Sequence, residues 1–338
     1  LIGDRKDPFY AGLLFPSKYG ELVFEKEIYK KNANTDMEDV TIFLPRNEPV
    51  VDVEISVEDG YVVEEPTPYA DIKPIVYYGS SITQGGCVSR PGNTYQGIIE
   101  RRFDTDYINL GFSGSARGED TIADYIKNLD MSVFVYDYDH NAPTIEHLIN
   151  THERMYNTIR EKHPNLPIVL MSRPKYYLTD DEEKRLEVIK STFDNAKARG
   201  DNNVYLIDGP TLMEMAKEEG TVDNCHPNDL GFYSIAKALG DRHILLHDTH
   251  GALDIRDAEE VLPRGLGIEG QLVGGAIHQG RAELVGDGLG GEGGVVVHVP
   301  LIEGQGGLGI RLSPGGHDRR QLGEGRAQVD ADAVVGGD

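Results

Sequence analysis

Ser81, Asp223 and His226 are the residue types that acyl transfer through a serine ester requires. A serine hydroxyl is a weak nucleophile near neutral pH and needs a base beside it. An imidazole, whose ordinary pKa is about 6.5, can take that proton and return it. An acid must then hold the imidazole in one tautomer and stabilise the imidazolium. Asp223 stands three residues before His226 in DNCHPND (223–229), so a single loop can carry both. The tetrahedral intermediate is an oxyanion and needs preorganised donors; the N–H groups of Ser81 and Gly114 and the side-chain amide of Asn141 can supply three. Each residue alone has an ordinary explanation: Gly114 a turn, Asn141 a helix cap, Asp223 a solvated acid, His226 a loop histidine. Together they fit one reaction. A histidine base predicts a rate that rises with pH through about 6–7, and this chemistry calls for no metal and no organic cofactor.

Such residues must be held by elements that end in the same place. The run Ile75–Tyr78 reads as a buried parallel strand that stops at Gly79, followed by Ser80, Ser81, Thr83, Gly85 and Gly86 in a turn leading to a helix. Further apolar runs, YINLGFS (107–113), SVFVYDYD (132–139), PIVLMSR (167–173) and VYLIDG (204–209), alternate with amphipathic stretches at 94–103, 119–129, 145–163 and 180–199. In the last, Leu186, Ile189 and Phe193 recur at helical spacing and acids crowd the first turn. A final helix is expected over 228–246. Short apolar strands alternating with helices predict a three-layer α/β/α domain with a mainly parallel sheet over 71–246, with functional residues at the carboxyl ends of its strands. Ser81 follows the first strand; Asn109, Gly111 and Gly114 the second; Asn141 the third; Asp223 and His226 precede the last helix.

The flanks differ. Residues 1–70 carry strand patterns without helices, as in VVDVEISVED (50–59), where Val53, Ile55 and Val57 oppose Asp52, Glu54, Ser56 and Glu58. A small β-sandwich or jelly-roll domain is expected there, joined by the proline-containing linker 66–74. Its Phe9, Tyr10, Phe15 and Tyr19 are candidates for a sugar-binding rim or for core packing. Residues 247–338 are expected to be a glycine-rich tail of low order: 23 of the 40 glycines fall after residue 240, where Lys, Asn, Tyr and Phe are absent. So sharp a change in composition also puts the tail's origin in doubt.

A net charge of −24 argues against nucleic acid or an anionic membrane surface as partner and suits a neutral substrate. No apolar run is long enough to span a membrane. The chain starts at Leu1 without methionine or a signal-peptide pattern, which suits a processed or truncated chain and leaves a cytoplasmic location as the default. With Cys87 and Cys225 as its only cysteines, it is neither a disulfide scaffold nor a cysteine-rich zinc protein. Two thiols are expected, with a bridge as the alternative if both flank the site.

The motifs GSSIT around Ser81, NLGFSG around Gly111 and Gly114, DHN at Asn141 and DNCHP at Asp223 and His226 resemble the four blocks of the SGNH hydrolases, the GDSL-type lipases and esterases. The resemblance spans 75 to about 245 and implies a flavodoxin-like fold, Ser81 as nucleophile, Asp223 and His226 completing the triad, and Gly114 and Asn141 as oxyanion donors. The strand-rich start is similar to the β-domain that precedes the catalytic domain in several carbohydrate esterases of that family. An esterase releasing short acyl groups, acetyl above all, from a carbohydrate is therefore the expectation. An acyltransferase using the same acyl-enzyme, a generic short-chain esterase and a carbohydrate-binding protein with lapsed catalysis are the alternatives. Two departures stand out. Ser80 occupies a position where the family has aspartate, making it a second candidate nucleophile, and Asp139 and Ala142 replace the glycine and aspartate usual around Asn141.

Overall fold

The computed structural model describes residues 1–13, 23–28, 37–46, 50, 53–58, 61–69, 73–241, 294–298, 308–314 and 327–332. Strands β1 (Val23–Ile28), β2 (Glu38–Ile42), β3 (Glu54–Glu58) and β4 (Tyr61–Glu64) come first. Then β5 (Ile75–Gly79), α1 (Ser81–Gln84), α2 (Tyr95–Phe103), β6 (Tyr107–Gly111), α3 (Asp120–Ile126), β7 (Val133–Asp137), α4 (Ile145–Lys162) and β8 (Ile168–Met171) alternate. The pattern continues through α5 (Asp180–Ala198), β9 (Val204–Ile207), α6 (Gly209–Leu212) and α7 (Asp229–Gly240). Three strands close the sequence: β10 (Gly294–His298), β11 (Leu308–Pro314) and β12 (Ala327–Asp332).

Two compact units result, one of residues 1–71, 96–109 and 274–338, the other of 72–95 and 110–273. In the first, two antiparallel sheets run in the orders β1-β12-β3-β10 and β2-β11-β4. Val57 opposes both Val295 and Ala327, and Val40 opposes Ile310. The expectation of a tail without regular structure is thus corrected at these three segments. Val295–Val297 is a β-branched run, and Ile310 and Leu312 alternate with Arg311 and Ser313, which suits pairing once partner strands are at hand. The rest of 247–338 lies outside the described residues, as do Phe15 and Tyr19. Phe9 and Tyr10 are exposed. Arg5 donates to Asp104 at 2.9 Å and lies over the Tyr69 ring, whose hydroxyl donates to buried Glu100 at 2.6 Å.

The five-stranded sheet has the order β6-β5-β7-β8-β9. The strands β5, β7, β8 and β9 pair in parallel, with Gly79 opposite Asp137 at the carboxyl ends of β5 and β7. Every residue of β5, β7 and β8 is buried, as a sheet covered on both faces requires. In α4, Leu148, Thr151, His152, Met155, Tyr156 and Ile159 form the buried stripe at three- and four-residue spacing. A capping box of Thr179 and Glu182 starts α5, with Asp180 to Glu183 in its first turn. The order places the second strand before the first, so the winding direction reverses between β5 and β7. A crevice opens outside the strand ends at such a reversal. Ser81 leaves β5 there and Asn141 follows β7. The expected α/β fold is the fold observed.

Candidate active site

Burial and capping separate the two serines of the turn after β5. Ser80 is 1% exposed, and its Oγ accepts the Ile82 N–H at 3.2 Å, capping α1. Its hydroxyl thus serves the backbone of the turn, and no contact to His226 is made from it. Ser81 is less buried, and its Oγ lies 2.9 Å from His226 Nε2. Beneath the turn, buried Thr83 donates from Oγ1 to Asp137 Oδ2 at 2.8 Å. Burial pushes the Asp137 carboxyl up to about 8, against the lowering effect of that hydroxyl.

The second strand end packs directly on this turn. A Cβ on Gly111 would come within 2.1 Å of the Gln84 nitrogen, so only glycine permits the approach. Phe112 donates its N–H to the Gly79 carbonyl at 2.7 Å, and Ser113 to Gln84 Oε1 at 3.1 Å. Gly114 then turns with φ +71° into open space. Asn109 lies within β6.

The third loop carries Asn141 in a turn closed by the Ala142 N–H on the Asp139 carbonyl at 3.2 Å. Asn141 Oδ1 is buried and unpartnered. Among the described residues, the N–H groups of Ser81 and Gly114 and the Asn141 side-chain amide have no hydrogen-bond partner. These are the three donor groups singled out from the sequence.

The loop between Thr221 and Pro227 folds on itself through a bridge between those residues, with the Val222 N–H on the His226 carbonyl at 3.0 Å. Asn224 takes the left-handed conformation at φ 61°, which asparagine tolerates. Asp223 Oδ1 accepts the N–H groups of Cys225 and His226 at 3.0 and 2.7 Å, and its Oδ2 lies 2.7 Å from His226 Nδ1. Local turn chemistry and the orientation of the base are therefore one structure. Burial pushes Asp223 up, but the His226 N–H and ring outweigh it and hold the carboxyl below its ordinary value. The nearby Cys225 sulfur is the largest influence on His226; with Asp223 it outweighs partial burial and raises the imidazole to about 9. The expected base pKa of about 6–7 is thus moved upward.

Two contacts were not foreseen from the sequence. Asp229, at the start of α7, accepts the Ser89 N–H at 2.8 Å, the Ser89 hydroxyl at 2.5 Å and the Asn93 amide at 3.1 Å. It ties the segment after Ser81 to the helix after His226. His140 Nε2 lies 2.9 Å from Cys225 Sγ, which joins the Asn141 turn to the triad loop. Cys87 and Cys225 are both thiols, so the alternative of a bridge is set aside; the Cys225 sulfur is turned to His140 instead. Among the described residues, Asp223, Cys225 and His226 group together as metal-ligand types. No helix among the described residues is long and apolar enough to cross a membrane.

No curated protein matches the chain in sequence. Among solved structures, it is similar to one described as a GDSL-like lipase from Bacteroides ovatus: 28% identity, 55% of this chain, 56% of that one, TM-score 0.48. It is also similar to a salicylyl-acyltransferase from a tetracycline biosynthetic pathway: 20% identity, 52% and 55% covered, TM-score 0.44. A third is a family two carbohydrate esterase from Clostridium thermocellum in complex with cellohexaose: 10% identity, 64% and 98% covered, TM-score 0.44. The chain spans little more than half the length of the first two. The model of the GDSL-like lipase/acylhydrolase family matches residues 72–243, just over half of the chain, from the start of the sheet to the end of the last helix. The chain belongs to the GDSL-like lipase/acylhydrolase family.

Proposed function

We propose that the protein is a serine esterase that releases short acyl groups, acetyl first, from a neutral alcohol such as a carbohydrate. The unbroken relay from Ser81 Oγ to His226 Nε2 and from His226 Nδ1 to Asp223, at 2.9 and 2.7 Å, carries this reading. Neutral His226 takes the Ser81 proton as Oγ attacks the ester carbonyl, and Asp223 stabilises the imidazolium. The oxyanion is received by the N–H groups of Ser81 and Gly114 and by the Asn141 amide. His226 returns the proton to the leaving alcohol oxygen, leaving an acyl-Ser81. Water, deprotonated by His226, then attacks the acyl carbon, and collapse of the second tetrahedral intermediate returns the proton to Ser81. The net charge of −24 supports a neutral substrate over an anionic one.

The test is hydrolysis of p-nitrophenyl acetate, the longer-chain p-nitrophenyl esters and a panel of acetylated mono- and oligosaccharides. Ser81→Ala should lower kcat at least about 10⁴-fold on every substrate that wild type turns over. Activity unchanged in Ser81→Ala overturns the assignment. Acetyl transfer to an added alcohol in place of acetate release would make the enzyme a transferase.

A further inference from the structure

We propose that Arg185 is a positioning residue for the oxyanion donor: from α5, it clamps both ends of the turn that presents Asn141. The inference rests on the esterase reading above and adds to it a residue distant in sequence from all four motifs.

Asn141 does not fix its own orientation. Its Oδ1 is buried without a partner, and its side-chain amide makes no hydrogen bond among the described residues. The direction of the amide therefore depends on the backbone of the Asp139–Ala142 turn. Arg185 Nη1 donates to the Asp139 carbonyl at 3.2 Å and to the Ala142 carbonyl at 3.1 Å, the first and last residues of that turn. One nitrogen thus spans the turn and closes it from below. The same nitrogen lies 3.5 Å from Asp139 Oδ1, while Asp139 Oδ2 accepts the Arg173 N–H at 3.1 Å.

The clamp is itself anchored. Arg185 Nε donates to Asp181 at 3.0 Å, one helical turn earlier on α5. Arg173 Nη1 and Lys175 Nζ hold Glu182 at 3.1 and 3.2 Å, and Glu182 is the acid of the α5 capping box. The side chains of Arg185 and Asp139 are 9% and 2% exposed, so both groups have given up water for these partners. Such burial brings little net stability on average, and geometry is its best-attested use. The geometry fixed here is that of a donor whose displacement by about 1 Å can cost about 10²-fold in rate. On its other side the turn meets the triad loop through His140 and Cys225, so its position is shared by both halves of the site.

A coupling experiment tests the proposal. The variants are Arg185→Met, which keeps the length of the buried stem, and Arg185→Lys, which keeps the charge without the fork. Each is made alone and with Asn141→Ala, and kcat and KM for p-nitrophenyl acetate are measured beside thermal midpoints. Asn141→Ala alone should lower kcat about 10²–10³-fold with little change in KM. Arg185→Met should lower kcat by about 10² or more, again with little change in KM. In the double variant the losses should not multiply, since Arg185 acts through the amide that is already gone. Arg185→Lys should lower kcat by more than about threefold but less than Arg185→Met does, and stay near wild type in thermal midpoint, which covers the case of an Arg185→Met that does not fold. If Asn141→Ala is costly but either folded Arg185 variant keeps kcat within about threefold, or if the losses multiply, the clamp is refuted and the esterase reading stands. If Asn141→Ala itself leaves kcat unchanged, the oxyanion assignment fails, and the clamp with it.

Discussion

The pH dependence of turnover is the sharpest consequence of the site's electrostatics. His226 must be neutral to accept the Ser81 proton, and Cys225 and Asp223 raise its imidazole to about 9. A raised value means that the active form appears later as pH increases. With a base pKa of about 9, about 1% of the imidazole is neutral at pH 7 and about half at pH 9, so kcat/KM should rise about 50-fold over that interval. With the ordinary value of about 6.5, the same interval would bring only about a 1.3-fold rise. The assay is the initial rate on a p-nitrophenyl ester between pH 5.5 and 9.5, with buffer hydrolysis subtracted at each pH. Cys225→Ala removes the largest upward influence while leaving the Asp223 contact at 2.7 Å, so its midpoint should lie between those of wild type and an ordinary imidazole. A wild-type profile that levels off by pH 7.5, or a Cys225→Ala profile that coincides with wild type, would refute the reasoning.

Two further substitutions address residues around the nucleophile. Ser80→Ala should destabilise the protein by about 1 kcal/mol through loss of the α1 cap, with kcat within a fewfold of wild type; loss of turnover comparable to Ser81→Ala would make Ser80 the nucleophile. Asp137→Asn keeps the size and the acceptor facing Thr83 while removing a carboxyl whose folded pKa, about 8, lies above its unfolded value. Such a group favours the fold fully below about pH 4, and its contribution is lost as pH rises through 8, on the order of 5 kcal/mol in all. Asp137 is faced by Thr83, Asp139 and Arg173, and the last opposes the rise. The denaturant midpoint of Asp137→Asn relative to wild type should therefore increase between pH 4 and 9. A difference that stays constant with pH would count against the assignment.

What the sequence made legible was set by how local each signal is. The strands of the sheet announce themselves as apolar runs because both faces are covered, and the α4 stripe from Leu148 to Ile159 follows from helical geometry. Ser81, Asp223 and His226 stand at strand and helix ends, where turn residues interrupt those runs, so residue type and position together expose them. Arg185 gave no such sign. It sits in DDEEKRLEV, which reads as a solvated helix start, and its burial is decided by Asp139, distant in sequence. Asp229 looks like a helix-start acid, and only the approach of Ser89 and Asn93 gives it a second task. The strands β10 to β12 were missed for a related reason. Glycine-rich surroundings dilute their alternation, and their partners lie more than two hundred residues earlier, beyond the reach of any pattern window.

The contacts that hold the three loops of the site differ in kind, and the difference bears on which changes the enzyme can absorb. The nucleophile turn is fixed by close packing: Gly111 against Gln84, with Thr83 on Asp137 below. The triad loop is fixed by its own turn, because the acid that orients His226 also accepts two backbone N–H groups. The Asn141 turn is held by a charged side chain from a separate helix, Arg185 of α5. Packing and local turns form as the surrounding chain folds, whereas the Arg185 clamp needs α5 docked and its ions desolvated. A perturbation of the α5 start, such as loss of the Thr179–Glu182 box, should therefore reach turnover through Glu182, Arg173 and Asp139 before it disturbs the Ser81–His226 contact. In a site built this way, the relay that creates the nucleophile is the robust part. The proposed oxyanion donor, Asn141, is the part that depends on the rest of the domain.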